Sequence, residues 1–267
     1  MNILVCIKQV PDIEQIKIDP VKNVMIMDGV PDIVNQFDTY ALETAVRIKD
    51  NAPETKVFVL TMGPAKSKEA LKSCLSVGAD KAYMVSDDAL ADSDTLATSY
   101  VLYRAIKVIE EREGQAFDLI FCGKQAADGD TAHVGPQLAE YLNYPQLTSA
   151  LELTVDGDKV SARRQSEEGI EVMAASFPAL VTMSQTPYEP RYASVKTKMA
   201  ANRAQIPVLT AADLGIDASC AGLSGSPSRV VKTYVPPRKQ GGIKIEEESV
   251  EESVQKLTAL LSDAGVI

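Results

Sequence analysis

Apolar runs and amphipathic stretches alternate along the first half of the chain. Asn2 to Ile7 (NILVCI) is a continuous apolar run that reads as a buried strand. Residues 17–29 (KIDPVKNVMIMDG) read as a hairpin or irregular excursion, with Asp19-Pro20 and Asp28-Gly29 as turn signals. A helix follows, capped by Asn35 or Asp38, with Leu42, Ala45, Val46 and Lys49 along one stripe. Lys56 to Met62 is the next strand. Ser67 can cap a second helix with Ala70, Leu71, Cys74 and Leu75 inward and Gly78 as its stop. Lys81 to Val85 is a third strand. Asp94 caps a long helix whose stripe is read as Leu96, Tyr100, Tyr103 and Ile106 or Lys107. Asp118 to Cys122 is a fourth strand. It opens into a loop of small and polar residues, and Pro136, Leu138, Tyr141 and Leu142 then mark a further helix.

Strands and helices alternating with short links predict an α/β fold with a parallel sheet and right-handed crossovers. Ligands in such sheets sit beyond the carboxyl ends of the strands. Four stretches fall there: Cys6–Lys8, Thr61–Pro64, Ser86–Thr95 and Gly123–Val134. After Pro145 the pattern changes. Residues 146–178 read as a β excursion with Asp156-Gly157 as a hairpin turn, followed by a return strand, Ala179 to Met183. The segment around Arg191, Lys196, Lys198 and Arg203 is basic and polar. From Ala218 the chain is rich in Gly, Ser and Pro, then ends in a helix striped by Val250, Val254, Leu257 and Leu261. The division expected is an α/β domain over 1–217 and an arm with a helix over 218–267.

Composition narrows the function. The chain has 267 residues, 45% of them hydrophobic, a net charge of -10 and a pI near 4.8. An excess of acidic residues argues against a general binder of nucleic acid or anionic membranes. The four cysteines (Cys6, Cys74, Cys122, Cys220) are far apart, and with the single His133 they form no zinc pattern. No run is long enough to span a bilayer and no secretory leader is evident, so a reduced cytoplasmic setting is expected. The glycine-rich dinucleotide fingerprint, the P-loop and the nucleophile elbow are all missing. The Gly123–Val134 loop is the place where chemistry concentrates. Lys124 can meet a phosphate, and Thr131 to Val134 can present N–H groups at the start of a helix. Asp128 and Asp130 repel phosphate and suit ribose hydroxyls or loop shape. In the polar loop 92–99 (DSDTLATS), Asp94 caps while Thr95 and Thr98 offer hydroxyls, beside free N–H groups, to a second phosphate; capping or solvation is the simpler role for each threonine.

Several blocks, in order, resemble the beta subunits of electron transfer flavoproteins over essentially the whole chain. They are VCIKQVPD, DGVPDIVNQFDTYALETAVRIKD, VLTMGPA, GKQAADGDTAHVGPQLAEYL, the signature stretch ARRQSEEGIEVMAASFPALVT and PRYASVKTKMAA. Met173 departs mildly from the aliphatic residue usual there. The resemblance implies an adenine-nucleotide-binding (Rossmann-like, HUP-type) domain in a heterodimer with an alpha subunit that carries FAD. The beta subunit then holds AMP in conventional members and a second FAD in electron-bifurcating ones. By matching positions the nucleotide contacts are Cys6, Asn35, Gln36, Phe37, Asp38, Met62 and the loop Gly123, Lys124, Gln125, Ala126, Ala127, Asp128, Gly129, Asp130, Thr131, Ala132, His133 and Val134. The backbone of the last three holds the phosphate. Tyr192, Val195 and Lys196 match the loop that touches partner dehydrogenases, and the C-terminal arm wraps the alpha subunit. DSDTLATS, with Asp94, Thr95 and Thr98, resembles the corresponding loop of the bifurcating, anaerobic bacterial branch, which favours FAD over AMP. That branch implies NADH as donor, with ferredoxin or flavodoxin and an acyl-CoA dehydrogenase-type flavoenzyme as acceptors. No side chain is assigned as an acid or base and no metal is expected. A stand-alone ATP-binding protein of similar fold is the remaining alternative.

Overall fold

A computed structural model describes residues 1–19, 25–26, 28–231 and 241–267. Along the chain the first elements are β1 (Asn2–Cys6), β2 (Gln9–Pro11), β3 (Lys17–Ile18), β4 (Met25–Ile26) and β5 (Asp32–Val34). Then come α1 (Gln36–Asn51), β6 (Lys56–Met62), α2 (Lys68–Ser76), β7 (Lys81–Val85), α3 (Thr95–Glu113), β8 (Leu119–Gly123) and α4 (Val134–Leu142). The second half carries β9 (Gln146–Asp156), β10 (Lys159–Ser166), β11 (Gly169–Ser176), β12 (Ala179–Met183), α5 (Val195–Arg203), β13 (Val208–Leu209) and α6 (Val250–Asp263).

The main sheet has nine strands in the order β11-β10-β9-β12-β8-β1-β6-β7-β13. Pairing is parallel from β9 to β13 and antiparallel within β9-β10-β11. The α/β class expected from the alternation is therefore the one observed. After β7 the chain crosses back to the far side of β1, so the strand order reverses between β1 and β8. A reversal leaves a crevice at the carboxyl ends of the two flanking strands, since their loops depart to opposite sides.

Each apolar run splits into two cores by simple alternation. Ile3, Val5, Val57, Val59, Leu119 and Phe121 face α1 and α2, meeting Ala41, Ala45, Leu71 and Cys74. Leu4, Phe58, Leu60 and Ile120 face the other way, against Val101, Ile106 and Ile109 of α3 and Leu138 of α4. Fully burying one such aliphatic side chain stabilises the fold by roughly 1.5–3 kcal/mol.

Three local expectations are corrected. The inward stripe of α3 is Ala97, Val101, Leu102, Ala105, Ile106 and Ile109, whereas Leu96 and Lys107 are exposed. Tyr100 and Tyr103 lie at the rim, ring against ring with Tyr141 of α4. Ser67 makes no side-chain cap; a 3-10 turn over Ala65–Ser67 leads into α2 instead. Pro136 lies in the first turn of α4, two residues after its start at Val134. The edge strand β13 was not expected, because two residues carry no readable period. Of the 17–29 excursion, β3 and β4 pair antiparallel as a hairpin would, while Pro20 lies outside the described residues. The segment 146–178 forms the antiparallel β9-β10-β11. Helix α6 has no buried residue, and Val250 and Val254 of its stripe are largely exposed.

Candidate functional site

The crevice between β1 and β8 is built by side chains that link loops far apart in sequence. Helix α1 begins there, and its first turn is turned outward into the loops. Asp38 takes the backbone N–H of Lys8, just past β1, at 2.7 Å and that of Gly123, at the end of β8, at 3.0 Å. Burial pushes its carboxyl up from 3.8 to about 7, outweighing those two N–H groups, the nearby Asn35 side chain and the Lys8 charge, all of which favour the ionised form. Asn35 was a candidate cap for α1, but its side chain makes no capping bond. Its amide instead donates to the carbonyl of Gln125 at 2.8 Å and accepts from the N–H of Ala127 at 3.0 Å. Gly123 permits this close approach. A Cβ there would lie 2.2 Å from Asp38 Oδ1 and 2.9 Å from the Asp38 nitrogen.

The Gly123–Val134 loop is held from several sides. The N–H of Lys124 donates to the Met183 carbonyl at 2.7 Å, tying it to β12. Lys8 Nζ meets both oxygens of Asp128 at 2.7 Å. Gln125 donates to Asp130, and the Ala126 carbonyl collects the N–H groups of Gly129 and Asp130. Both acidic residues therefore hold loop shape, one of the two roles read for them. Asp130 and Ala132 adopt left-handed φ values of 53 and 57°, which non-glycine residues adopt mainly when their surroundings enforce it. His133 returns to the right-handed region as the residue before α4. A left-to-right alternation of this kind turns successive N–H groups toward one point. Among the described residues, the N–H groups of Thr131, Ala132, His133, Val134 and Gly135 have no hydrogen-bond acceptor, and the ammonium of Lys124 has no partner. Gly135 is buried, and a Cβ on it would strike the Thr182 methyl at 2.4 Å. His133 is exposed and its Nδ1 contacts the Thr131 carbonyl. The loop thus combines engaged side chains with unengaged N–H groups and the positive end of α4, an arrangement suited to an anion.

The second polar loop sits beside the first. Ser99 Oγ donates to the Thr95 carbonyl at 2.7 Å and lies 3.3 Å from the Val134 carbonyl and 3.2 Å from Gln137 Oε1, which brings the starts of α3 and α4 together. Thr95 and Thr98 are half-buried, with hydroxyls that make no hydrogen bond among the described residues. The free N–H groups expected there are mostly absent. Asp94 takes those of Leu96 at 3.0 Å and Ala97 at 3.1 Å, and also the N–H of Ser228. That loop therefore offers hydroxyls next to a carboxylate.

The remaining candidates line the same edge. Gln36 is exposed and Phe37 half-buried in the first turn of α1, and Met62 is half-buried at the end of β6. Cys6 and Cys122 are buried neighbours on β1 and β8. Contact with the Cys6 thiol, together with burial, pushes the Cys122 thiol well up. Among the described residues no cluster of His, Cys, Asp or Glu is placed to hold a metal, and no helix is long and apolar enough to cross a membrane.

Tyr192, Val195 and Lys196 lie elsewhere, where α5 packs on α2. Tyr192 is 97% and Val195 77% exposed, while Ser194 and Thr197 form a capping box beneath them. Sequence reasoning missed what anchors this segment. Arg191 donates to the buried carboxylate of Glu43 at 2.8 Å and to Asp50 at 2.7 Å. Arg47 shares Glu43 and covers the ring of Tyr188 at 4.0 Å. The spacing of Glu43 and Arg47, four apart on one helix, was the available signal. Lys8 was also missed, though its block was noted.

Comparison with known proteins places the chain in a family. A model of the electron transfer flavoprotein domain matches residues 22–214. The electron transfer flavoprotein subunit beta of Megasphaera elsdenii is 47% identical over 97% of this chain and 98% of its own. That of Thermoanaerobacterium thermosaccharolyticum is 42% identical over the full length of both. The caffeyl-CoA reductase-Etf complex subunit CarD of Acetobacterium woodii is 41% identical, also over the full length of both. On these matches the chain belongs to the electron transfer flavoprotein family, among its beta subunits.

Proposed function

We propose that this chain holds an FAD in the β1/β8 crevice and acts, with an alpha subunit, as an electron-bifurcating electron transfer flavoprotein. The observation that carries the reading is the run of uncommitted N–H groups from Thr131 to Gly135, poised beside Thr95 and Thr98. The residues fit a nucleotide phosphate on their donor chemistry, with Ala132, His133 and Val134 on the first phosphate and the two threonine hydroxyls on a second. Lys124 adds positive charge at the rim. Held there, an FAD would supply two-electron acceptance from NADH and one-electron delivery to ferredoxin or flavodoxin and, through the alpha-subunit FAD, to an acyl-CoA dehydrogenase-type partner. The chain's own residues bind and orient: N–H groups fix the phosphates, while the first turn of α1 and the end of β6 border the rest of the nucleotide. Tyr192, Val195 and Lys196 meet the dehydrogenase. The name of the Acetobacterium relative, a subunit of a reductase–Etf complex, supports a role within a larger redox assembly.

One observation favours a second reading, a conventional carrier with AMP in the crevice. The Asp94 carboxylate occupies the N–H groups at the start of α3, leaving a donor set that suits one phosphate better than two. Cofactor extraction from the purified heterodimer decides between them. Two FAD per heterodimer are expected, and changing Thr95 and Thr98 together to Val lowers that toward one. One FAD plus one AMP in the unmodified protein overturns bifurcation.

A further inference from the structure

We infer that the Asn35 side chain, in place of the nucleotide contact that the family resemblance implies at this position, is a positioning group for the phosphate cradle that sets the loop geometry from beneath without itself touching the nucleotide. The inference rests on reading the Thr131–Gly135 segment as a phosphate site. Three observations carry it. Asn35 is fully buried, with 0% exposure, so no ligand in the crevice reaches its amide. The amide makes no capping bond to its own helix, although it stands at the N-cap, where Asn ordinarily serves that purpose. It is committed instead to two backbone groups ninety residues away, the Gln125 carbonyl and the Ala127 N–H.

The consequence propagates along the loop. Asn35 fixes the backbone on either side of Ala126. The Ala126 carbonyl then collects the N–H groups of Gly129 and Asp130, closing the turn. The chain leaves that turn through the left-handed Asp130 and Ala132, and only then do the uncommitted N–H groups begin. Asn35 is itself fixed, because its N–H donates to the Lys8 carbonyl at 2.9 Å beside the end of β1. It therefore refers the cradle to the rigid sheet. The side chain has the two functions the task needs, a donor and an acceptor at fixed separation. Aspartate can accept from Ala127 but cannot donate to Gln125, and it adds charge beside Asp38.

The test compares AMP with adenosine, which differ only by the phosphate. Calorimetric titration is made with the alpha–beta heterodimer after removal of bound nucleotide. In the unmodified protein AMP is expected to bind more tightly than adenosine. Asn35→Ala should shrink that preference by about tenfold, the equivalent of roughly one hydrogen bond's net contribution, while adenosine binds as before. Asn35→Asp should reduce the preference in the same direction, and it carries the test if the alanine variant does not fold. Retention of the full AMP preference in both variants overturns the inference. Equal loss of affinity for AMP and adenosine also overturns it, since that marks a general structural role. An unmodified protein that binds the two alike overturns the phosphate reading itself.

Discussion

The cradle loop and the exposed segment from Tyr192 to Met199 solve opposite problems with the same device. In the cradle the side chains are consumed: Asn35, Asp38, Lys8 and Asp128 all bind protein groups, and the backbone N–H groups are left free. In the exposed segment the backbone is consumed by the Ser194–Thr197 capping box, and the side chains are left free. Tyr192, Val195 and Met199 stand 97%, 77% and 54% exposed. Each region is pinned to α1, one through its first turn and the other through Glu43 in its second. A site that presents backbone recognises a group common to many ligands, such as a phosphate. A site that presents side chains recognises a particular surface.

The largest expected effect breaks the first region only. Gly123→Ala places a Cβ against the carboxylate and the backbone nitrogen of Asp38, neither of which can retreat. It should destabilise the chain by roughly 1–3 kcal/mol and remove the crevice nucleotide, as read by thermal unfolding and cofactor extraction. Normal nucleotide content in this variant would show that the close approach is dispensable. The second effect breaks the other region. Val195→Glu should lower the rate of electron transfer to the dehydrogenase by about tenfold or more, the scale of a central interface residue, with flavin content unchanged. Loss of flavin would mean that the segment supports the fold.

A third effect sharpens the comparison through pH. Asp38 has its carboxyl raised to about 7, so the folded state holds a proton that the unfolded chain releases near 3.8. Its contribution to stability is full below the unfolded value and is lost as pH rises through about 7. Relative to Asp38→Asn, which does not titrate there, stability should fall by up to about 1.4 kcal/mol per pH unit across that window and then level off. Denaturant titrations at several pH values measure this. A difference that stays flat from pH 4 to 8 would place the carboxyl in its ordinary range.

Much of the frame was legible because buried parallel strands announce themselves as apolar runs. Lys56–Met62, Lys81–Val85 and Ala179–Met183 are observed with the bounds read from sequence. The inward face of α3 was not legible. The sequence TLATSYVLYRAIKVI is apolar on more than one face, and the small Ala97 and Ala105 mark the packed side better than the tyrosines do. Nor was the part played by Asn35 and Asp38. An acceptor at a helix start looks the same whether it serves its own first turn or a loop ninety residues away, because local spacing carries no information about long-range partners. The loop itself was visible as a candidate from its glycines and the helix start after it. Which of its N–H groups stay free depends on the left-handed Asp130 and Ala132, and no residue type dictates those.

The buried sulfur atoms have a bearing on chemical durability. Peroxides and alkylating agents attack the thiolate, and a thiol kept protonated and out of solvent is nearly inert to them. Cys74 and Cys122 are both buried and held as thiols at neutral pH, whereas Cys220 alone of the four is exposed. A chain in a family named for carrying electrons thereby keeps three of its four thiols inside the fold and leaves Cys220, outside the strands that frame the crevice, as the one thiol open to such reagents.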